Sequence, residues 1–271
     1  MKINCTKLDP SGNITVIVDS YVPRELQSRV AAEIMAHDAQ VEQVGFIEKS
    51  ESAGCCAHLQ MMGGEFCGNA SLSAAAVVLK SSAAAVGVGY EIMLSVSGAI
   101  EPVKIVGSMT DVDCFDGEVN MPLPEAIYDC CFMDGFESYN LTVVRFTGIS
   151  HAIVPTGTLS REDAERMIGS WCRQINADAL GLMFFDKANS TLTPLVYVAS
   201  TNTAVWEGSC ASGTSAVAAY LAELDGEHAD VCLKEPRGEL SASAAYSGSQ
   251  VFSLTLSGSA KIRDCFSVII D

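Results

Sequence analysis

Two stretches of the chain place apolar side chains at helical spacing. Leu26, Val30 and Ile34 fall at i, i+4 and i+8, with Pro23 where a first helical turn would begin. Ala164, Met167, Ile168 and Trp171 form a second stripe, preceded by Ser160 and Asp163 in capping-box spacing. Short apolar runs predict strands over 13–18, 45–48 and 58–62, and again over 151–154, 182–186 and 195–199. A third kind of segment is rich in Ala, Ser, Val and Leu. It follows Cys67 and Cys210 and predicts one helix after each cysteine, then alternating strands such as 251–257.

Slid against itself, the chain matches at four places in the same order. The segment from Cys67 to Leu79 corresponds to that from Cys210 to Ala222, each a cysteine, then small or polar residues, then an apolar run. Pro23–Val30 lines up with Ser160–Met167, Gly45–Glu48 with Gly181–Phe184, and Leu94–Ala99 with Leu254–Ser259. The two predicted helix stripes and the strands around them keep the same order. The pattern predicts two similar α+β domains in tandem, 1–122 and 123–271, with Met121-Pro-Leu-Pro124 as the boundary and the last strand free to pack back on the first domain.

Composition narrows the functions available. The 271 residues carry 33 acidic and 16 basic side chains, a net charge of −17, which excludes polyanion binding by clustered Lys and Arg. An anionic membrane surface is repelled likewise. Hydrophobic residues make up 49% and charged ones 18%, the profile of a globular protein. The small-residue stretch 71–94 is interrupted by Lys80, Gly87, Gly89 and Glu91 and does not predict a membrane span. Eleven cysteines are an odd number, none in Cys-x-x-Cys spacing, and residues 1–9 lack a secretion signal. A reducing, cytoplasmic setting with mostly free, buried thiols is expected.

A cysteine at a helix N-terminus is the exception to that inert role. The helix dipole and unpaired amides favour its thiolate, and small residues beside it let a ligand approach the backbone. If two such cysteines confront each other across a cleft between duplicated domains, one thiolate can remove a proton from a tetrahedral carbon while the other thiol protonates the opposite face. That is racemisation or epimerisation, with the helix starts holding the substrate carboxylate. Cys67 and Cys210 are therefore the candidate catalytic pair. Cys5, Cys55, Cys56, Cys114, Cys130, Cys131, Cys172, Cys232 and Cys265 are expected in the core. Met61-Met62 is expected in the core, and Glu65 on an exposed turn. His37 and His228 carry no expected role, His58 is open, and Trp206 is read as core or as a surface for a flat ring. Gly63-Gly64 and Gly87-Val-Gly89 lack the Lys of a phosphate loop. No metal and no cofactor are expected. A thiol-based sensor or binding module is the rival from another class.

The motifs are similar to those of the diaminopimelate epimerase family, pyridoxal-independent racemases with a Cys-Gly-Asn-Gly element in one half and a Cys-Gly-Ser-Gly element in the other. Here they stand as Cys67-Gly-Asn-Ala70 and Cys210-Ala-Ser-Gly213. The resemblance runs over essentially the whole length. It implies a fold of two pseudo-symmetric domains, each a sheet wrapped around a central helix, with the active site between them. Asn13 and Gln43 fall at substrate-lining positions, as do Gly68, Asn69, Ala211, Ser212 and Gly213. His151 falls where the family has a histidine near the first cysteine. Glu207 falls where a glutamate binds the substrate ammonium, and both would tune the thiols. The clamp for diaminopimelate's distal head is missing, since Gly208, Ile149, Ala179 and Met62 or Gly63 stand where arginine or asparagine is needed.

Within the wider family, Glu42-Gln-Val-Gly-Phe-Ile-Glu48, Gly64-Glu-Phe-Cys-Gly-Asn-Ala70 and Trp206-Glu-Gly-Ser-Cys-Ala-Ser-Gly-Thr214 resemble the histidine racemases of staphylopine-type metallophore biosynthesis. Ala211 departs from the glycine that normally follows the second cysteine. The resemblance implies cofactor-independent interconversion of L- and D-histidine in the cytoplasm, with self-association into a homodimer left open. A phenazine-biosynthesis-type isomerase shares the fold but lacks the cysteine pair.

Overall fold

A computed structural model describes residues 2–269. The chain is α+β and divides into two compact units, Met1–Asn120 with Ser257–Asp271, and Met121–Leu256. The first runs β1 (Lys2–Pro10), β2 (Thr15–Val18), α1 (Arg24–His37), β3 (Gln43–Glu48), β4 (Ala57–Met61) and α2 (Gly68–Ser81). It continues through β5 (Gly89–Val96), β6 (Val103–Asp111) and β7 (Cys114–Asn120). The second runs β8 (Ala126–Asp134), β9 (Glu137–Phe146), β10 (Ile149–Pro155), α3 (Arg161–Gln174), β11 (Ala179–Asp186) and β12 (Thr191–Val198). It continues through β13 (Thr203–Trp206), α4 (Ala211–Asp225), β14 (Ala229–Lys234), β15 (Glu239–Ser247) and the first part of β16 (Gln250–Ile269).

The strand pairings repeat. β2 pairs parallel with β3 and β3 antiparallel with β4, as β10 pairs parallel with β11 and β11 antiparallel with β12. β4 then pairs parallel with β5, as β12 does with β14, while β13 is an added strand on β12. In the first unit the end of β16 pairs with β1, Pro10↔Ala260 through Lys2↔Ile269, and β16 also neighbours β7. The strands of this unit thus close into a ring.

Inside it lies α2, which packs against every strand from β1 to β7. A helix with no wet face must be apolar or small all round, and α2 is buried from Gly68 through Val77. α1 covers the sheet's other side. Val16, Val18, Val44 and Phe46 face it together with Val30, Ala31 and Ile34. Covered on both faces, β2 is buried at all four positions, which explains a continuous apolar run instead of an alternating one. In the second unit α3 plays the part of α1. Ala164, Met167, Ile168 and Trp171 pack there against Leu180, Leu182 and Leu195, as the sequence stripe predicts. Ser160 caps α3 through Asp163 N–H at 3.1 Å.

Two expectations need correction. The buried stripe of α1 is Gln27, Val30, Ala31 and Ile34, and Leu26 is exposed. Gln27 takes the inward position because its amide donates to Val22 O at 3.2 Å and Glu48 Oε1 at 2.5 Å, satisfying a polar side chain in the core. Of the nine cysteines expected in the core, only Cys5 and Cys172 are buried. Cys56, Cys131, Cys232 and Cys265 are exposed, and Cys55, Cys114 and Cys130 half-buried. Four of these seven, Cys114, Cys131, Cys232 and Cys265, lie on β7, β8, β14 and β16 at outward positions next to core positions such as Phe115, Phe132 and Leu233, while Cys130 shares the face of Phe132 and packs half-buried against the core.

The α1 correction sets a stability contrast. Ile34→Ala should cost about 2–5 kcal/mol, whereas Leu26→Ala should stay within about 0.5 kcal/mol. Urea unfolding midpoints measure both, and equal losses would contradict the assigned face.

Candidate active site

The entry to α2 is built by a tight turn. Met61 N–H donates to Ser97 Oγ, and Ser97 Oγ donates to Glu65 O, both at 2.9 Å, which ties the loop after β5 under the segment before Cys67. Gly98 adopts a positive φ of 74° there, and a Cβ would fall 2.3 Å from Phe66 N, so the approach requires glycine. Cys67 then stands as N-cap in extended backbone conformation. Its Sγ accepts Ala70 N–H at 3.3 Å and its thiol donates to Gln43 Oε1 at 2.7 Å. Gln43 reaches it because β3 begins beside β2, with Thr15 opposite Gln43. Asn13, one turn before β2, is buried and donates to Glu42 Oε2 at 3.0 Å. Gly68 and Asn69 form the first turn, and the buried Asn69 Oδ1 has no hydrogen-bond partner among the described residues.

α4 begins the same way with different partners. Cys210 is its N-cap, yet its sulfur accepts no cap hydrogen bond. Ser212 Oγ lies 3.6 Å from Cys210 Sγ and 2.9 Å from His151 Nε2. His151 comes from β10, opposite Gly181 on β11. A Cβ at residue 181 would meet His151 Nδ1 at 2.3 Å, so that glycine makes room for the ring. His151 Nδ1 has no partner among the described residues. A bare buried lone pair is better tolerated than a bare N–H, so the proton belongs on Nε2, donating to Ser212. Ser212 is then free to donate toward the sulfur of Cys210.

Burial governs the titration of this corner. It holds His151 down at about 3, so the ring is neutral. It also drives the Cys210 thiol well above its ordinary value, helped by the charges of Glu207 and Glu235 and by the thiol's hydrogen bond to Glu207. Ser212 acts in the opposite sense.

The structure brings Gln43 onto Cys67 and Ser212 and Glu207 onto Cys210, with His151 on Ser212. The hydrogen bond of His151 runs to Ser212 at the start of α4. Ala211 and Gly213 complete that first turn. A Cβ at residue 213 would meet Met183 Sδ at 2.3 Å, which ties Gly213 to the packing of β11.

Residues left open are now placed. His58 bonds Ser95 Oγ at 2.9 Å and lines a polar cavity of about 450 Å³ with Arg24, Glu48 and Lys49, a cavity that includes no candidate site residue. Trp206 gives its ring to Arg161, 4.6 Å away, and its N–H to Glu165, so it braces α3. Met61 is core, and Glu65 lies exposed on its turn.

The residue that sequence reading missed is Glu235, just after β14. It is buried, accepts Cys210 N–H at 2.7 Å and takes the Thr214 hydroxyl at 2.6 Å. Nothing in the sequence around Glu235 marks it. Among the described residues no group of three or more His, Cys, Asp or Glu is placed to hold a metal ion, and no helix is long and apolar enough to cross a membrane.

Known proteins resemble this chain. A hydroxyproline epimerase from Agrobacterium vitis, with bound trans-4-hydroxy-L-proline, superposes with a TM-score of 0.73 at 13% identity, covering 100% of this chain and 93% of that one. A phenazine-biosynthesis protein of the PhzF family from Bacillus anthracis gives 0.72 at 13% identity with full coverage of both chains. A histidine racemase of Fusobacterium nucleatum subsp. nucleatum is 34% identical over 223 residues, 79% of this chain and 80% of its own. One from Staphylococcus aureus is 28% identical over 224 residues, 80% and 79% of the two chains. The chain is an amino-acid racemase, an isomerase. The family model described as the histidine racemase CntK N-terminal domain matches residues 2–264, and the chain belongs to that family.

The neutral, buried His151 makes a pH prediction. Its folded value lies near 3 against 6.5 when free, so it contributes stability above pH 6.5 that is lost as pH falls toward 3. Wild type should lose about 1.4 kcal/mol per pH unit more than His151→Gln across that window. Urea unfolding at stepwise lower pH measures this, and parallel curves would contradict it.

Proposed function

We propose that the chain interconverts L- and D-histidine without a cofactor by a two-thiol mechanism, on the tandem diaminopimelate-epimerase-like fold that the motif resemblance implies. The observation that carries the reading is that each unit places a cysteine as N-cap of a buried helix, with a polar partner on the sulfur of each. Membership of the histidine racemase family supports the substrate.

In the working enzyme one cysteine is a thiolate and the other a thiol, and the pair titrates jointly. The thiolate takes the Cα proton, forming an S–H bond as the C–H bond breaks. The electron pair spreads into the substrate carboxylate. The opposite thiol then gives its proton to the other face of Cα, and the two sulfurs have exchanged states. This chemistry requires the sulfurs of Cys67 and Cys210 to reach opposite faces of one carbon.

The amides that open α2, at Gly68 and Asn69, and those that open α4, at Ala211, Ser212 and Gly213, are the donors for the carboxylate as charge builds on it. Asn13 and Gln43 line the first half of the site and Glu207 takes the ammonium. Gln43 holds Cys67, while the His151–Ser212 chain donates to Cys210. Without a distal clamp at 149, 179 and 208, a second carboxylate would leave its charge unpaired, which disfavours diaminopimelate. The D-histidine formed would feed an opine-type metallophore, in a cytoplasm that keeps the thiols reduced.

Chiral chromatography of histidine, diaminopimelate and other L-amino acids after incubation tests the reading. Histidine should racemise fastest, and Cys67→Ser and Cys210→Ser should each lose about 100-fold or more. Full activity in both variants would refute the mechanism.

A further inference from the structure

The two cysteines hold equivalent places in the repeat but have unlike partners. Gln43 opens β3 two residues before Gly45, and Ala179 opens β11 two residues before Gly181, the glycine aligned with Gly45. The fold tolerates an alanine at this point, so the role of the glutamine lies in its side chain. That side chain reaches Cys67, whose thiol donates to Oε1 at 2.7 Å, and makes no other hydrogen bond among the described residues. Its base is fixed, since Gln43 N–H donates to Ile14 O at 3.3 Å and Thr15 lies opposite on β2. In the second unit the sulfur takes Ser212 instead, with Oγ 3.6 Å away, where the first unit has Asn69.

A sulfur that alternates between thiol and thiolate makes opposite demands on its neighbours. A thiol has one hydrogen to give and needs an acceptor, whereas a thiolate has none and needs donors. The Ala70 N–H, 3.3 Å from Sγ, is a backbone donor and stays one in either state. A carboxylate beside the sulfur could only accept and an ammonium could only donate, so either would hold the cysteine in one state. A primary amide carries an acceptor and a donor on the same end. Half a turn about its last side-chain torsion exchanges Oε1 for Nε2 at the sulfur. Left facing a thiolate, the amide oxygen would set two electron-rich atoms 2.7 Å apart.

We propose that Gln43 is a positioning residue for Cys67 that serves both of its protonation states, its carbonyl oxygen accepting from the thiol and, turned over, its NH2 group donating to the thiolate. As the sulfur takes the Cα proton, the C–H bond breaks, the S–H bond forms and the amide turns its oxygen to the new S–H. When the thiol gives that proton up, the amide turns back. No charge is added beside the sulfur at either stage. The cycle rests on the two-thiol reading; the coupling of the amide to the protonation of Cys67 does not.

Iodoacetamide alkylation of Cys67 at one fixed pH, read by mass spectrometry in the Cys210→Ser chain, follows the thiolate population without racemisation. Gln43→Met keeps the side-chain length and removes both hydrogen-bonding ends. Hydrogen bonds to an ionised group are the stronger ones, so losing the donor outweighs losing the acceptor, and alkylation should slow about threefold or more. Gln43→Glu keeps an acceptor, loses the donor and adds a charge, and should slow it about tenfold or more. An amide that only accepts predicts faster alkylation in Gln43→Met. A faster or unchanged rate in that variant, or an unchanged rate in Gln43→Glu, would overturn the proposal whatever the protein's activity. With Cys210 restored and folding checked by circular dichroism, both variants should lose about tenfold or more in kcat for histidine, with KM within about threefold. Wild-type kcat, or a loss carried by KM alone, would make Gln43 a substrate contact and overturn its role on the sulfur.

Discussion

A buried helix must hide the N–H groups of its first turn from water without stranding them, and α2 answers that demand at its cysteine, whose sulfur accepts the Ala70 N–H. α2 is surrounded by strands and has small side chains on every side, so its amides open into the protein's interior and not into solvent. A sulfur set there meets donors whose direction is fixed by the backbone. The same geometry that solves a folding problem makes a place where negative charge can rest. That constraint picks out the small-residue helices, and not the amphipathic α1 and α3, as the place for the proposed chemistry.

The two starts nevertheless differ electrically. Cys67 is held by neutral groups, the Ala70 amide and the Gln43 side chain. Cys210 is buried beside carboxyl groups that resist its ionisation, with Ser212 pulling the other way. Bulk charge has no part in this. The net −17 excludes partners but says nothing about either sulfur.

Much of this was legible because it is local. Cys67 and Cys210 stood out through the matched segments that follow them, and the Ser160–Asp163 cap and the Met167–Trp171 stripe needed only helical spacing. What failed was set by partners distant in sequence. Leu26 looked inward by period alone, but Gln27 takes that place because Glu48 and Val22 stand opposite it. Cys131 and Cys232 looked like core until sheet pairing assigned their faces. Glu235 was invisible because its partners, Cys210 and Thr214, lie on another element and nothing in its own neighbourhood reveals the clamp.

The central claim is that two thiols serve opposite faces of one carbon. The direct measurement is the placement of solvent deuterium during the first turnovers of L-histidine in D2O. If Cys67 and Cys210 act as two separate bases, deuterium appears at Cα of the D-histidine formed while the remaining L-histidine stays protiated. Deuterium entering the unreacted L-histidine as fast as the product, or product that keeps the substrate's own proton, would contradict the account.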